Sequence, residues 1–522
     1  MRAISALYLR ALRRRWQQFA LAVEEPRAFQ ERRLAALIRA NAETEFGRRH
    51  GFGEIDSVAR FRRRVPVRDY EGFAPWIERV AAGAPAVLTS APVRVMERSS
   101  GSTSVNKLIP YTDALLDEFS AATGPWIHNL HCGRPALRGT LSYWSISPVT
   151  RQRQLTSGGI PVGFEDDTEY FGPLQRWALA RLMAVPSTVA RIPEIERWRD
   201  ATCLHLLRAG DLGLISVWSP TFLCLLMEHM ERNLDQLIAL LPPARARAVC
   251  VGLARGGGRL TGEAIWPRLQ LVSCWADGSS SAFLDELRRW FPGTPIQPKG
   301  LLATEGVVSF PLWGRPGAVL AVAGHFLEFI DVENPGAEPL MAHELREGGC
   351  YSPLLTTGGG MYRYHLKDVV RCVGRYRGTP LVRFAGKLDA VSDICGEKLN
   401  ARHVEAALAR ARRAGFTARF AMLAPSRGGS PPCYTLYFDG RMDRATVRQA
   451  LCELERHLAS IHHYRYCRQL GQLGPPRAVR VRDGWHRYQA ALVAQGMRVG
   501  DIKPAALDLH GVAAQVFAQE PR

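Results

Sequence analysis

Lysine is scarce in this chain: of the 68 basic residues among 522, six are lysine, at Lys107, Lys299, Lys367, Lys387, Lys398 and Lys503. Arginine and lysine serve alike on a solvated surface, so a composition that has drifted this far toward arginine keeps lysine where a compact, flexible ammonium is needed. Five of the six lie within or beside stretches that read as ligand-handling motifs, which makes them a short list of candidate sites. Paired cysteines are absent as well. Eleven cysteines are spread without a single CxxC, which argues against a disulfide framework and a zinc site and fits free thiols in a reducing cytoplasm. No stretch approaches the roughly 18 to 20 uninterrupted apolar residues of a membrane span. The segment MRAISALYLRALRRRWQQFALAVEEP lacks the apolar core and cleavage site of a secretory leader, so no stable membrane insertion is expected. The formal charge of +19 invites a nucleic-acid partner. The arginines, however, run the whole length, with no RNP-type aromatic motif, no zinc finger and no basic low-complexity arm. Arginine-rich composition accounts for the charge, and no nucleic-acid partner is expected.

What is present is an ordinary globular composition, 47% hydrophobic and 22% charged, in a chain long enough for a large core and a further domain. The first residues pattern as an amphipathic helix with Leu9, Leu12, Trp16 and Phe19 on one face. Docking onto the protein's own body is the expectation, with an anionic membrane surface as the alternative for its RRRW run. From about residue 90 to about 385, short β-type runs (VRVME, TLSYWSI, LGLISVW, LQLVSCW, HFLEFIDV) alternate with helical stretches at 112–122, 173–184, 220–241 and 281–291. This alternation predicts an α/β domain of β-sheets flanked by helices, with mostly parallel strands. Beyond it the pattern restarts with a helix over 401–413, strands ARFAML and CYTLYFD, a helix near 443–460 and a strand-helix unit at 478–495. The expectation is a large N-terminal domain over 1–385 and a small, mobile α+β domain over 386–522.

Four stretches carry candidate chemistry. RSSGSTSVNKLIPYT (98–112) sets hydroxyls beside a glycine, with Lys107 a few residues on. Such a loop can wrap polyphosphate through backbone N–H groups, side-chain O–H groups and one mobile positive charge. Walker A spacing is missing, and a Ser/Gly run by itself is also a flexible turn. QPKGLLATEGV (297–307) ends an apolar strand in Ala303, Thr304 and Glu305. A carboxylate at the carboxyl end of a strand is where open α/β sheets contact ligands, and a hard oxygen there suits Mg²⁺ on a nucleotide; an exposed loop acid is the plainer alternative. TTGGGMYRYHLKDVVRC (356–372) leads through three glycines to Asp368, which is suited to accept hydrogen bonds from ribose hydroxyls or else to sit buried in a β-hairpin. FAGKLDAVSDICGEKLN (384–400) spans the expected boundary, and GDIKPAAL (500–507) puts Lys503 on a terminal loop. That lysine is either a surface residue or one that swings into a cleft when domains close.

Taken together and in this order, these stretches are far more specific than any one. The chain resembles the auxin-responsive acyl acid amido synthetases, the jasmonate- and indoleacetate-conjugating type of adenylate-forming enzyme, and looks like a bacterial member. The resemblance runs from about residue 30 to residue 510 and rests on SSGSTSVNKLIPYT, CWADG (274–278), KGLLATEG, MYRYHLKDVV and GEKLN. It implies a ligase that uses ATP and Mg²⁺ to activate a carboxylic acid as an acyl-adenylate, releases pyrophosphate and passes the acyl group to an amine, usually an amino acid. It also implies that Ser99, Ser100, Gly101, Ser102 and Thr103 hold the phosphates, with Lys107 beside them. Ala303 and Thr304 would sit by the α-phosphate, Glu305 would bind Mg²⁺ and Asp368 would hold the ribose. Lys503 resembles the lysine that the wider superfamily brings in from its C-terminal domain to stabilise charge during adenylation. Lys387, counted with the ATP-binding set, stands where the superfamily's hinge has arginine, and Lys367 stands where a glycine is usual. Adenylation builds negative charge at a pentacovalent phosphorus, which a metal and an ammonium offset. The acyl pocket is expected within about 120–280, where Trp126, Tyr143, Trp144 and Trp218 are either pocket lining or core. Two alternatives stay open: acyl transfer to the thiol of CoA or a carrier protein, and a non-catalytic nucleotide or nucleic-acid binder.

Overall fold

The computed structural model describes residues 2–99, 107–144, 154–164, 177, 180–426, 428–497, 499–509 and 511–518. The chain forms two units. Met1–Val217, Leu226–Cys274 and Phe291–Phe384 make the first, and Trp218–Leu225, Trp275–Trp290 and Ala385–Arg522 the second.

The first unit contains a four-stranded parallel sheet in the order Leu141–Trp144, Leu212–Ser216, Leu271–Cys274, Ile296–Pro298. Its two inner strands are buried at every residue, as parallel strands covered on both faces must be. The expectation of mostly parallel pairing fails for the largest sheet. That sheet has eight strands, in the order Ser309–Pro311, Ala318–Leu320, Thr379–Lys387, Asp368–Tyr376, Cys350–Thr356, Phe326–Asp331, Leu340–Met341, with Tyr364–His365 on the edge of Cys350–Thr356. Its pairings Phe326↔Thr356, Leu355↔Tyr364, Cys350↔Arg371 and Val319↔Leu381 are antiparallel. Parallel neighbours need a crossover of a dozen or more residues; here Arg377 and Gly378 alone separate Asp368–Tyr376 from Thr379–Lys387. A further sheet pairs Val95–Arg98 with Leu108–Tyr111 and adds Pro161–Val162 and Gln154–Leu155.

The first helix, Arg2–Ala22, docks along the helix Asp113–Gly133. Leu12 and Phe19 are buried, Trp16 stacks on His128 at 5.5 Å between ring centroids, and Arg15 pairs with Asp117. Apolar residues three and four apart give the helix one buried stripe, which is why it lies on protein. Among the described residues no helix is long and apolar enough to cross a membrane. The helix expected over 220–241 is two, Pro220–Arg232 and Leu234–Ala239, broken at Asn233, whose side-chain amide donates to the His229 carbonyl at 2.9 Å. The stretch expected as a helix over 281–291 is a tight turn over Gly278–Phe283 followed by Leu284–Trp290. Half of the helix expected over 173–184 lies outside the described residues.

In the second unit the helices Ala401–Arg413 and Arg444–Leu458 pack together beside a three-stranded sheet, Phe420–Ser426, Cys433–Asp439, Arg477–Arg480. Asn400 caps the first helix by accepting from the Arg402 N–H at 2.9 Å. The buried side chains Val404, Ala407, Leu408 and Ala411 recur at helical spacing and form its inner face.

Candidate active site

The hairpin of Val95–Arg98 and Leu108–Tyr111 carries the expected phosphate loop. Its register runs Val95↔Tyr111 to Arg98↔Leu108, and one more bond, from Ser99 N–H to the Lys107 carbonyl at 2.9 Å, closes the neck. Ser100, Gly101, Ser102 and Thr103 lie outside the described residues. Lys107 sets its ammonium 5.4 Å from the centroid of Tyr70, a cation–π contact. Tyr70 in turn accepts from the Leu108 N–H at 2.9 Å, and burial pushes its phenol pKa up. The neighbouring Asp69 caps the helix Tyr70–Ala81 and takes a 2.7 Å ion pair from Lys367. That bond is the main reason its carboxyl titrates below the usual carboxylate range.

Glu305 was expected at the carboxyl end of a sheet strand, and its actual setting is different. The parallel strand stops at Pro298; Leu302–Ala303 then pairs antiparallel with Gly306–Val307, so Thr304 and Glu305 are the two turn residues of a small hairpin. The turn is braced from several sides. Tyr111 donates its hydroxyl proton to the Thr304 carbonyl, and Tyr364 donates to Glu305 Oε1 at 3.3 Å. Burial, then the Glu305 carboxylate, raises the Tyr364 phenol well above its ordinary pKa. The Val307 N–H donates to His325 Nε2 at 2.9 Å, which assigns the ring proton to Nδ1. Nδ1 donates in turn to Glu118 Oε2 at 2.7 Å. Glu118, fully buried, also accepts from the Gly358 N–H at 2.9 and 3.0 Å and from Arg33 at 2.5 Å. A Cβ on Gly306 would lie 2.9 Å from His325 Nε2, so the turn takes glycine there for space. Glu305 itself is 7% exposed.

Asp368, also buried, opens the strand Asp368–Tyr376, and Ser352 Oγ donates to its carbonyl at 2.7 Å. The preceding Lys367 has φ of +62°. The left-handed region is costly for any residue with a Cβ, and this chain ties the Lys367 side chain to Asp69 at 2.7 Å.

Lys299, singled out by its rarity but given no role from the sequence, is 3% exposed just past the parallel strand Ile296–Pro298. Its ammonium donates to Ser216 Oγ at 2.6 Å and lies 5.0 and 5.6 Å from the ring centroids of Trp126 and Trp144. Burial pushes its pKa down to about 7. Trp126 donates its indole N–H to Gln297 Oε1 at 3.1 Å. Tyr364 was given no role although it lies inside the stretch that carries Asp368, and Asp69, Glu118 and His325 are residues that sequence reasoning missed. They support the expected site from distant chain positions, and no spacing announces them.

Lys387 and Lys503 belong to the second unit. Lys503 is exposed, 4.9 Å from the ring centroid of Trp275 in the CWADG stretch. Ser279 donates to the Pro504 carbonyl, and Trp275 N–H donates to the Trp218 carbonyl at 2.8 Å. Lys387 is half-buried and its carbonyl accepts from Asn400 Nδ2 at 3.1 Å. In GEKLN, Glu397 accepts from the N–H groups of Ile394 and Cys395 at 2.8 and 2.9 Å and from the Tyr434 hydroxyl. It thereby shapes its loop. Among the described residues the one grouping of three metal-capable side chains is Cys395, Glu397 and Cys467, and Glu305 is outside it. A single hard carboxylate suits Mg²⁺, which takes one or two carboxylates and completes its shell with substrate phosphates and water.

Three family models match the chain: GH3 family N-terminal domain over residues 15–242, GH3 family central domain over 318–387 and GH3 family C-terminal domain over 401–507. A probable indole-3-acetic acid-amido synthetase GH3.12 of Oryza sativa subsp. japonica is 26% identical over 439 residues, covering 72% of this chain and 71% of the relative. The jasmonoyl–L-amino acid synthetase GH3.5 of the same organism is 22% identical over 455 residues, 76% of each. The solved structure of AtGH3.15 acyl acid amido synthetase in complex with 2,4-DB superposes with a TM-score of 0.86 at 18% identity, over 100% of this chain and 97% of that one.

Proposed function

The chain belongs to the GH3 family, and on that premise we propose that it is an ATP-dependent acyl acid amido synthetase. It activates a carboxylic acid as the acyl-adenylate and joins the acyl group to an amine, usually an amino acid. The observation that carries the reading is the buried Glu305 carboxylate on its braced turn, with the Tyr364 hydroxyl bonded to it. In the reaction ATP supplies pyrophosphate as leaving group, and Mg²⁺ offsets the charge of its phosphates. Glu305 is the protein's ligand to the metal. Ser99, Ser100, Gly101, Ser102 and Thr103 hold the phosphates with backbone N–H and hydroxyl groups, and Lys107 adds one positive charge at the loop's neck. Ala303 and Thr304 flank the α-phosphate, and Asp368 accepts from the ribose hydroxyls. Lys503 offsets the negative charge that grows at the α-phosphorus, with Lys387 at the hinge. Trp126 meets Trp144 at 5.7 Å between ring centroids at the end of the strand Leu141–Trp144, which also carries Tyr143, and carboxyl ends of such strands are where open sheets seat ligands; these residues line the acyl side. The enzyme works in the cytoplasm.

The test is acid-dependent ATP–pyrophosphate exchange against a panel of aryl, indolyl and fatty carboxylic acids, followed by addition of amino acids or CoA. Exchange with at least one acid, and amide rather than thioester as the product, is the expected result. Thioester formation alone would replace the amine by a thiol. Absence of exchange across the panel by folded, ATP-binding protein would remove the activity.

A further inference from the structure

A cleft of about 790 Å³ opens in the first unit beside the helices Arg2–Ala22 and Asp113–Gly133 and the turn Pro135–Leu137. Its charge is of one sign: Arg2, Arg10, Arg13, Arg138 and Arg268 line it, with the His128 imidazole beside them, and no Asp or Glu does. Some guanidinium groups elsewhere on this arginine-rich surface are matched by carboxylates, as in Arg94 with Asp113, Arg79 with Glu45 and Arg64 with Glu54. In the cleft Arg268 has such a partner, Asp211 at 3.2 Å. Among the described residues no ion pair holds Arg10, Arg13 or Arg138. The crowding reaches the imidazole: burial first, then Arg13 and Arg138, keeps the His128 pKa below its ordinary value. Leu9, Pro135 and Ala136 supply an apolar side to the same cleft.

Unmatched guanidinium groups around a concavity repel one another, and an anion seated among them relieves that repulsion. Guanidinium forks match phosphate oxygens bidentately. The volume falls in the range of small-molecule sites, about 300 to 1,000 Å³. We infer that this cleft is a binding site for a phosphate-bearing anion, with at least two negative charges carried on an apolar body. None of its lining residues belongs to the set assigned to ATP, so the site stands or falls independently of the adenylation chemistry.

The probe is inorganic tripolyphosphate, titrated calorimetrically into the wild-type chain and into the Arg10→Gln/Arg13→Gln/Arg138→Gln variant at low and moderate salt. The wild type is expected to show a binding event that weakens as salt rises and that the variant loses by on the order of tenfold or more. Pyrophosphate exchange should be equal in the two proteins. Arg138→Gln alone, a substitution at one exposed residue, should lose affinity in the same direction by a smaller factor, which separates the effect from misfolding. Superimposable isotherms for wild type and triple variant, or no binding to the wild type, overturn the inference. Co-sedimentation with phosphatidylserine vesicles, lost in the triple variant, identifies a lipid headgroup as the source of the phosphate. Tripolyphosphate binding without co-sedimentation identifies a soluble anion.

Discussion

A lysine buried beside two tryptophans carries a cost. Lys299 titrates near 7 in the folded chain because burial disfavours its charge, whereas an unfolded lysine titrates near about 10.4. Below pH 7 both states are protonated and the folded state bears the full cost of the buried charge. Between about 7 and 10.4 the unfolded state binds more protons, so stability rises with pH across that window. The variant Lys299→Met, which keeps the bulk and removes the titration, should flatten this rise. Urea melts of both proteins at pH 6, 7, 8 and 9 check it, and parallel curves would show that Lys299 does not titrate there. Lys367 poses the opposite question, since its backbone is strained and its side chain is useful. Releasing a left-handed non-glycine residue recovers roughly 1–2 kcal/mol, and its ion pair with Asp69, about a third exposed on each side, contributes roughly 0–1 kcal/mol. Lys367→Gly should therefore be neutral or stabilising by up to about 2 kcal/mol, while Lys367→Val should lose more than about 2 kcal/mol, both read by thermal or urea unfolding. At Glu305 the expected loss is of function: Glu305→Ala should abolish pyrophosphate exchange and leave the melting temperature near wild type, and normal exchange by that variant would take Glu305 out of the mechanism.

The hairpin that presents Glu305 is too short to hold itself. Two residues a side give only two rungs of pairing, and isolated hairpins are marginal in water, so its shape comes from its neighbours. The chain from Arg33 through Glu118 and His325 to the Val307 N–H links the helices Pro26–Ala40 and Asp113–Gly133 to the turn. Removing one member of a buried charged network leaves the others unpaired, at about 3–5 kcal/mol. Glu118→Ala should lose stability of that order and also raise the Mg²⁺ concentration needed for half-maximal exchange, because the turn loosens. A stability loss with unchanged Mg²⁺ dependence would make the network structural only. Its invisibility in the sequence has a physical cause. The strands and helices were legible because hydrophobic periodicity is local: 401–413 matches a helix at both ends, and the runs LGLISVW and LQLVSCW contain Leu212–Ser216 and Leu271–Cys274. Strand direction was less legible, since it depends on which connections cross over, and the short links of the eight-stranded sheet look in sequence like any other turn. The candidate site was legible as residue types in order, with Glu305, Asp368 and Lys107 each in a recognisable stretch. What aims them was hidden, because Glu118 and His325 are 207 residues apart and neither sits in a motif.

At the scale of the whole molecule, the residues assigned to the reaction are divided between two units: Glu305, Asp368 and Lys107 belong to the first, and Lys503 to the second. Such a division makes the two half-reactions separable by mutation. Lys503 lies on a loop tied to the CWADG stretch through Trp275 and through the bond from Ser279 to Pro504, so its place is set by contacts within its own unit. A preorganised donor aimed at charge that appears only in the transition state is worth about 10² to 10³ in rate. Lys503→Ala should slow adenylation by that factor and change ATP binding little, because the charge it meets is not yet formed in bound ATP. The second half-reaction builds no charge at an α-phosphorus that gains a ligand. Supplied with a preformed acyl-adenylate and an amino acid, the variant should therefore form amide at the wild-type rate. Single-turnover measurements of the two steps check this directly. Equal slowing of both steps would point to a positioning defect in the second unit, and full activity in both would leave Lys503 as a surface lysine resting on Trp275.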